Sequence, residues 1–251
     1  MIDSDDWVTP DFYEKLIGKA EATGADMVGC DLSRVSEHTF TVGEIVEKSG
    51  DEYVGILDDE KHRRMILNFG YLVLKIYKRE VIEKNHLRFP EGIFYEDNCA
   101  GPVWSTCFTH YEKVDEPLYF YYQHDNSTVH TITEQRCRDR MDAMTAMLEE
   151  MKNRGCLQVY HDEIEYRFTE LYFMITLVSY MIGAKNKKLS FVREMKNGML
   201  NAFPDFRNNP YYADYKETEH KKMADMLIQN DIKFFMYYRL VWWYRNLRKK
   251  K

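Results

Sequence analysis

The chain has 251 residues, of which 45% are hydrophobic, 30% charged and 15% aromatic, and its net charge is −6. This composition excludes a disordered protein, and the acidic balance argues against a nucleic-acid-binding protein, which needs a basic face. The length allows one large domain or two small ones. Five cysteines without a Cys-x-x-Cys pair predict reduced thiols and a cytoplasmic protein. No run reaches the ~18 apolar residues of a membrane-spanning helix.

Three carboxylates lie within the four residues Asp3, Ser4, Asp5 and Asp6, and Trp7 follows them. Carboxylates this close ionise together only at a cost unless a cation lies among them. Their oxygen atoms suit Mg²⁺ or Mn²⁺, ions that commonly bridge protein carboxylates to phosphates. The stretch is therefore either a divalent-metal site or a solvated acidic segment, and its residues alone leave both interpretations open.

Helix and strand patterns alternate in the first half of the chain, which favours an α/β fold. The sequence Thr-Pro-Asp is typical of a helix start, with Thr9 as the cap, and Gly24 is typical of its end. Apolar runs predict buried strands and apolar periodicity predicts helices. On these grounds we expect strands over residues 25–32 and 71–77 and helices over residues 58–67, 78–85 and 99–107.

Two charged features of this half are candidates for a binding site. Lys75 interrupts an apolar run and is either a lysine that snorkels at a strand end or a cation that faces phosphate or a carboxylate. Glu96 and Asp97 open the predicted helix 99–107. Acidic residues at a helix start are favoured by the helix dipole alone, so the pair is either a cap or a general base at the mouth of a cleft.

The character of the chain changes near residue 131, where we place a domain boundary. Strands are expected over residues 108–114 and 117–123, and a polar loop follows. Beyond the boundary, helical periodicity dominates. This division predicts domains of residues 1–130 and 131–251. Helices of the second domain are expected over residues 134–154, 160–183, 191–200 and 213–230.

Residues 233–251 are aromatic first and strongly basic towards their end. An interfacial helix has large aromatic side chains on one side and Lys or Arg near the lipid headgroups. The alternative is a last helix that docks on the core and ends in a frayed basic tail. The pattern therefore leaves peripheral membrane contact through residues 233–251 open.

Four motifs, taken in order, resemble the part of family 2 glycosyltransferases with the GT-A fold that begins at their metal-binding D-x-D motif. Asp3 to Trp7 is similar to that motif, and residues 71–79 are similar to the segment that the family writes as a Lys-Leu-Tyr-Lys-Arg-like run. Residues 89–97 resemble the Phe-Pro-Glu-Gly segment that leads to the catalytic Glu-Asp pair. Residues 119–127 are similar to the aromatic strand and serine-containing loop that closes over the donor. The resemblance covers residues 2 to about 130 and is specific because four motifs agree in order and spacing.

The resemblance implies a partial GT-A-like mixed sheet with flanking helices, followed by a mostly helical C-terminal region. It implies metal-dependent transfer of a sugar, with inversion, from a nucleotide diphosphate sugar to the hydroxyl of a glycan or lipid-linked acceptor, in polysaccharide or glycan biosynthesis. It places Mn²⁺ or Mg²⁺ on Asp5 with Asp3 in support, and makes Asp97 the base and Glu96 the residue that positions it. The further donor-site residues that it implies are Asp3, Asp6, Lys75, Ser127 and His130.

The sequence departs from the family pattern at two places. The donor loop has Gln123, His124 and Asn126 where the family usually carries Arg and Gly before the serine. Only Met1 and Ile2 precede the acidic stretch, where the family has a nucleotide-binding half, so we expect a truncated transferase that does not turn over alone. The main alternative is a non-catalytic remnant that acts as an interaction or membrane-contact module. A phosphatase with an Asp-x-Asp nucleophile pair is a further alternative, but it would gain nothing from Glu96 and Asp97.

Overall fold

The computed structural model describes residues 1–46, 50–123 and 132–249. The chain divides into two compact units. The first comprises Met1–Phe89 and Cys99–Thr128, and the second comprises Pro90–Asn98 and Val129–Lys251. No helix within the described residues is both long and apolar enough to cross a bilayer.

A six-stranded mixed sheet forms the centre of the first unit. Its strands are β1 (Trp7–Val8), β2 (Met27–Val35), β3 (Glu44–Ile45), β4 (Gly55–Ile56), β5 (Lys75–Tyr77) and β6 (His110–Tyr122). The strand order is β1-β6-β2-β3, with β4 paired to β6 and β5 paired to β2. Strands β2 and β6 run parallel, and the other pairings are antiparallel. The predicted α/β class with a mixed sheet is therefore confirmed.

Helix α1 (Phe12–Thr23) packs on this sheet through Phe12 and Leu16. Both side chains are buried in one cluster with Val28 and Leu118, and burial of each such side chain stabilises the fold by ~1.5–3 kcal/mol. Gly24 ends the helix in the left-handed conformation, as the sequence predicted. The remaining helices before the second half of the chain are α2 (Asp59–Leu67), α3 (Arg79–Lys84) and α4 (Glu96–Ser105). The first three residues of α4 belong to the second unit.

Two local predictions for the first unit are wrong. Thr9 does not cap α1, because the helix begins at Phe12 with Asp11 in the cap position. Thr9 instead accepts a hydrogen bond at its backbone carbonyl from the Phe12 amide, at 3.1 Å. The strand expected over residues 71–77 is reduced to β5, because Leu72–Leu74 forms a 3₁₀ turn.

The strands expected over residues 108–114 and 117–123 form one continuous strand, β6. Its register against β2 shifts at Asp31, which lies opposite Pro117 while the preceding residue of β2 lies opposite Val114. This irregularity accommodates the two intervening residues of β6, so the strand continues past them without a break. Strand β2 extends to Val35 because its last three residues pair with β6.

The second unit is helical, as expected for a mostly helical C-terminal region. The predicted helix over residues 160–183 is continuous but includes a π-helical segment, Thr169–Ile175. There the Thr176 hydroxyl donates to the Leu171 carbonyl at 2.6 Å. The helices are α5 (Glu134–Asn153), α6 (Cys156–Val159), α7 (His161–Phe168), α8 (Thr176–Gly183), α9 (Leu189–Ala202), α10 (Pro210–Ala213), α11 (Thr218–Gln229) and α12 (Asp231–Lys249).

Candidate active site

The predicted site residues fall in both compact units. The acidic turn (Asp3–Asp6) and Lys75 belong to the first unit, whereas Glu96 and Asp97 belong to the second. Ser127 and His130 lie outside the described residues, so their assignment to the donor stays a prediction.

Asp6 anchors the acidic turn to the sheet. Its carboxylate accepts hydrogen bonds from the Tyr119 hydroxyl at 2.7 Å and from the Tyr122 amide at 2.9 Å. The Tyr119 hydroxyl in turn accepts from the Asp3 amide at 3.2 Å. These bonds form because β1 pairs with β6, with Trp7 opposite the residue after Tyr119, so the residues just before β1 face the end of β6.

The charge state of Asp6 reflects opposing influences. Burial raises the pKa of its carboxyl group, and the Tyr122 amide and the Tyr119 hydroxyl oppose that rise by hydrogen bonding. The charges of Asp5 and Asp3 raise the pKa of Asp6 further. Burial also raises the pKa of Tyr119 well above its usual range, so its hydroxyl remains a proton donor to Asp6. With its carboxylate bonded on both sides, Asp6 is suited to hold the turn in place.

Asp3 and Asp5 are exposed and lie beside Asp6. This concentration of negative charge fits a divalent cation, and carboxylate oxygens are the ligands that Mn²⁺ and Mg²⁺ take. The three carboxylates do not converge on one point. Among the described residues, the acidic and histidine side chains that do so to within 4.8 Å are His161, Asp162 and Glu165 on α7. A magnesium-type ion commonly uses one or two protein carboxylates and takes its other ligands from phosphates and water, so the turn fits an ion shared with a diphosphate.

An aromatic cleft borders the acidic turn within the first unit. Trp7 stacks on Phe120, with parallel rings 5.7 Å apart, and its ring lies 4.9 Å from that of His38. His38 also stacks on Tyr122 at 4.4 Å, and Phe40 is 58% exposed at the rim. The open cleft is lined by Ser4, Asp5, Asp6, Trp7, His38, Thr39 and Phe40. Residues 38–40 could not be assigned to this cleft from the sequence, because nothing local in the sequence relates them to the acidic turn.

Lys75 is nearly completely buried, with 3% of its surface exposed, so it does not snorkel into solvent. Its ammonium group donates to the backbone carbonyls of Phe69 and Tyr71 at 2.9 and 3.0 Å and lies 4.6 Å from the centre of the Phe69 ring. These contacts stabilise the turn before β5. They give no support to the prediction that Lys75 binds the donor.

A second buried lysine, Lys113, was not singled out in the sequence. Its ammonium group forms ion pairs with Asp31 at 3.1 Å and Asp115 at 2.9 Å, and it also pairs with Asp51. Asp31 sits at the register shift between β2 and β6. Since all three carboxylates meet one buried cation, this cluster fixes the irregular part of the sheet.

Asp97 lies in the first turn of α4, and its carboxylate accepts from the Asn98 amide at 2.8 Å. Asp97 is exposed to solvent. Protein atoms around its carboxyl group nevertheless desolvate the group in part, and this desolvation raises its pKa. The Asn98 hydrogen bond lowers this pKa, the charge of Glu96 raises it, and the charge of Arg167 lowers it. A carboxyl group with a raised pKa is better suited to accept a proton near neutral pH.

The residues before this pair are held in an unusual conformation. Tyr95 has a φ of 72°, in the left-handed region, which costs a non-glycine residue ~1–3 kcal/mol. The guanidinium group of Arg140 lies 4.6 Å from the centre of the Tyr95 ring, and that of Arg136 lies 4.3 Å from the centre of the Phe94 ring. Two cation–π contacts with α5 therefore fix the segment from which Glu96 and Asp97 start. This role of α5 could not be predicted from the sequence.

The chain is similar in sequence to bacterial glycosyltransferases. It is 29% identical over 133 residues to the uncharacterized glycosyltransferase EpsJ of Bacillus subtilis, covering 51% of this chain and 38% of EpsJ. The succinoglycan biosynthesis protein ExoO of Rhizobium meliloti is 25% identical over 213 residues, covering 81% of this chain and 58% of ExoO. The chain is homologous to glycosyltransferases. The chain spans only 38% of the length of EpsJ and 58% of the length of ExoO. No protein-family model matches it.

Solved structures of TarS from S. aureus share the fold. The alignment with TarS residues 1–349 in complex with UDP-GlcNAc covers 100% of this chain and 67% of the TarS chain. The TM-score is 0.58 and the sequence identity is 17%. The complex of the same protein with UDP matches 91% of this chain and 65% of that chain, with a TM-score of 0.57. At this level of identity the likeness concerns the fold.

Proposed function

We propose that the chain belongs to a metal-dependent, inverting family 2 glycosyltransferase that acts in polysaccharide or glycan biosynthesis. The donor would be a nucleotide diphosphate sugar and the acceptor a hydroxyl of a glycan or lipid-linked saccharide. The observation that carries this proposal is the acidic turn, in which Asp6 is fixed by β6 while Asp3 and Asp5 remain exposed. Homology to glycosyltransferases supports the reaction class.

Asp5, supported by Asp3, would hold Mn²⁺ or Mg²⁺ in this reaction. The ion would offset the negative charge of the diphosphate as it leaves. The chain's own contribution is to keep two carboxylates exposed at a fixed place, which the hydrogen bonds from Tyr119 and Tyr122 to Asp6 achieve. Asp6 is thus a positioning residue in our proposal.

Asp97 would accept the proton of the acceptor hydroxyl. As the proton leaves, the oxygen attacks the anomeric carbon of the donor, and the diphosphate departs from the opposite face with the bonding electrons, which inverts the configuration. The raised pKa of Asp97 favours this role. Glu96 contributes to that raised pKa through its charge.

We further propose that the protein works in the cytoplasm, at the inner face of the membrane, where residues 233–251 contact the bilayer. The five cysteines are free thiols, which is typical of a reducing compartment. Membrane contact would bring the enzyme to a lipid-linked acceptor.

The proposal is tested by changing the base without changing its shape. In the full-length protein, Asp97→Asn should lower the rate of sugar transfer by at least ~10²-fold, which is the usual contribution of a positioned base. The affinity for UDP with Mn²⁺, measured by isothermal titration, should stay the same. The matched control is Asp142→Asn, because Asp142 is an exposed acid of the same unit whose pKa is also raised by desolvation.

Three outcomes would contradict the proposal or its assignments. If Glu96→Gln is more damaging than Asp97→Asn, the roles of the pair are reversed. If neither variant changes transfer, the base lies elsewhere. If the wild-type protein neither binds UDP with Mn²⁺ nor transfers sugar, the transferase proposal fails and the chain is a non-catalytic module.

A further inference from the structure

Helix α12 carries apolar side chains on two different faces. Phe234, Phe235 and Tyr238 are buried, with at most 7% of their surface exposed. Ile232, Met236, Leu240 and Trp243 are instead 55–63% exposed. The buried face is that of an ordinary last helix packed in its unit. Packing within the unit does not explain the second face, because its side chains are exposed. Large apolar side chains that share one exposed surface mark an interaction site.

The exposed residues form a single stripe along the helix, which we call the α12 stripe (Ile232, Met236, Leu240 and Trp243). Their spacings of four, four and three residues place them within an arc of about 80° at 3.6 residues per turn. By the same geometry, the buried residues lie on the opposite side. The stripe and the packed face are therefore separate surfaces of one helix.

Basic side chains flank this stripe. Lys233 and Arg239 are exposed, and the helical spacing places one on each side of the α12 stripe. Residues 232–251 contain seven Lys or Arg and no Asp or Glu, in a chain whose net charge is −6. An apolar stripe between basic residues, with Trp243 on it, is the arrangement of a helix that lies in the plane of an anionic membrane surface.

We infer that the α12 stripe inserts into the headgroup region of an anionic bilayer while Phe234, Phe235 and Tyr238 keep α12 docked on the protein. This inference specifies the membrane contact that forms part of the proposed function. It assigns the contact to four side chains and excludes detachment of the helix. A second copy of the chain is a poorer occupant, because it would bring two strongly basic helices together, whereas anionic lipids neutralise that charge.

The inference is tested by vesicle co-sedimentation of the full-length protein. Replacing two stripe residues, Met236→Gln with Leu240→Gln, should lower binding to phosphatidylglycerol-containing vesicles by at least ~10-fold, because two large side chains lose apolar burial. The matched control is Val159→Gln with Ile182→Gln. These two residues are 50% and 45% exposed in the same unit but lie outside α12, so binding should not change.

The basic residues are tested separately. Lys233→Gln with Arg239→Gln should weaken binding about five-fold per charge at low salt, and the difference should vanish in concentrated NaCl, which screens charges. The stripe variant should remain defective at both salt concentrations. Unchanged circular dichroism of each variant verifies that α12 remains folded.

Three results would overturn the inference. The stripe variant and the Val159–Ile182 control could bind vesicles equally, or the wild-type protein could bind neutral and anionic vesicles equally. The third result would come from sedimentation velocity without lipid. If the wild-type protein self-associates and the stripe variant does not, the stripe is a contact between copies. Sugar transfer to a water-soluble acceptor is measured on the same proteins. Because vesicle binding needs no donor, failure of the transferase proposal and failure of this one give different results.

Discussion

The hydroxyl of Tyr119 offers the sharpest test of how the acidic turn is held. It donates to the Asp6 carboxylate at 2.7 Å and accepts from the Asp3 amide at 3.2 Å. The Tyr119 ring is fully buried, so Tyr119→Phe removes the hydroxyl and leaves the packing intact. The variant therefore isolates the hydrogen bonds that tie the turn to β6.

The expected magnitude follows from these two bonds. A hydrogen bond to a charged group contributes ~1.5–3 kcal/mol, but Asp6 is only partly buried and solvent screens part of that contribution. We expect Tyr119→Phe to lower the free energy of unfolding by about 1.5 kcal/mol, which corresponds to a Tm lower by roughly 3–6 °C in a chain of this size. The pKa of Asp6 should rise, because the Tyr119 hydroxyl lowers it in the native protein.

The assay combines thermal unfolding with a carbon-detected NMR titration of the Asp6 carboxyl group. Tyr121→Phe is the matched control, because Tyr121 lies in the same strand and its hydroxyl has no hydrogen-bond partner among the described residues. An equal loss of stability in both variants would refute the reasoning. So would a pKa of Asp6 that does not move in Tyr119→Phe.

Four further predictions address the metal, the base and the effect of adding a Cβ at two helical glycines. Asp5→Ala should abolish Mn²⁺-stimulated transfer without unfolding the protein, and full activity in excess chelator would contradict the metal role. Arg167→Gln removes a charge that lowers the pKa of Asp97, so that pKa should rise and the acidic limb of kcat/KM should move to higher pH; an unmoved limb would exclude Asp97 as the titrating base. Gly198→Ala would place a Cβ 1.8 Å from the hydroxyl of a buried tyrosine and should cost ~1–3 kcal/mol in urea unfolding. In contrast, Gly18→Ala meets nothing within 4 Å and should stabilise α1 by ~0.5–1 kcal/mol.

Features set by neighbouring residues could be predicted from the sequence. Gly24 ends α1 because a left-handed residue there is a local requirement, and α2 and α5 follow from apolar periodicity. The exposure of Asp3 and Asp5 also agrees with a polar segment. Each of these depends on residues within a few positions in the chain.

Features set by distant residues could not be predicted. The single strand β6 depends on a register shift opposite Asp31, which no pattern within residues 108–123 encodes. The contact of Arg140 with Tyr95 joins residues 45 positions apart, so the sequence before Glu96 gave no indication of it.

The anchoring of Asp6 also determines when the acidic turn can form. Its partners Tyr119 and Tyr122 follow it by 113 and 116 residues, and contacts of such separation form only after a long loop has closed. During synthesis at ~5–20 residues per second, the turn leaves the ribosome roughly 6–23 seconds before its anchor. The carboxylates therefore stay unfixed on the nascent chain until β6 has joined the sheet. If the turn holds a metal ion, as proposed above, the ion would bind after the first unit has folded and would not act as its folding nucleus.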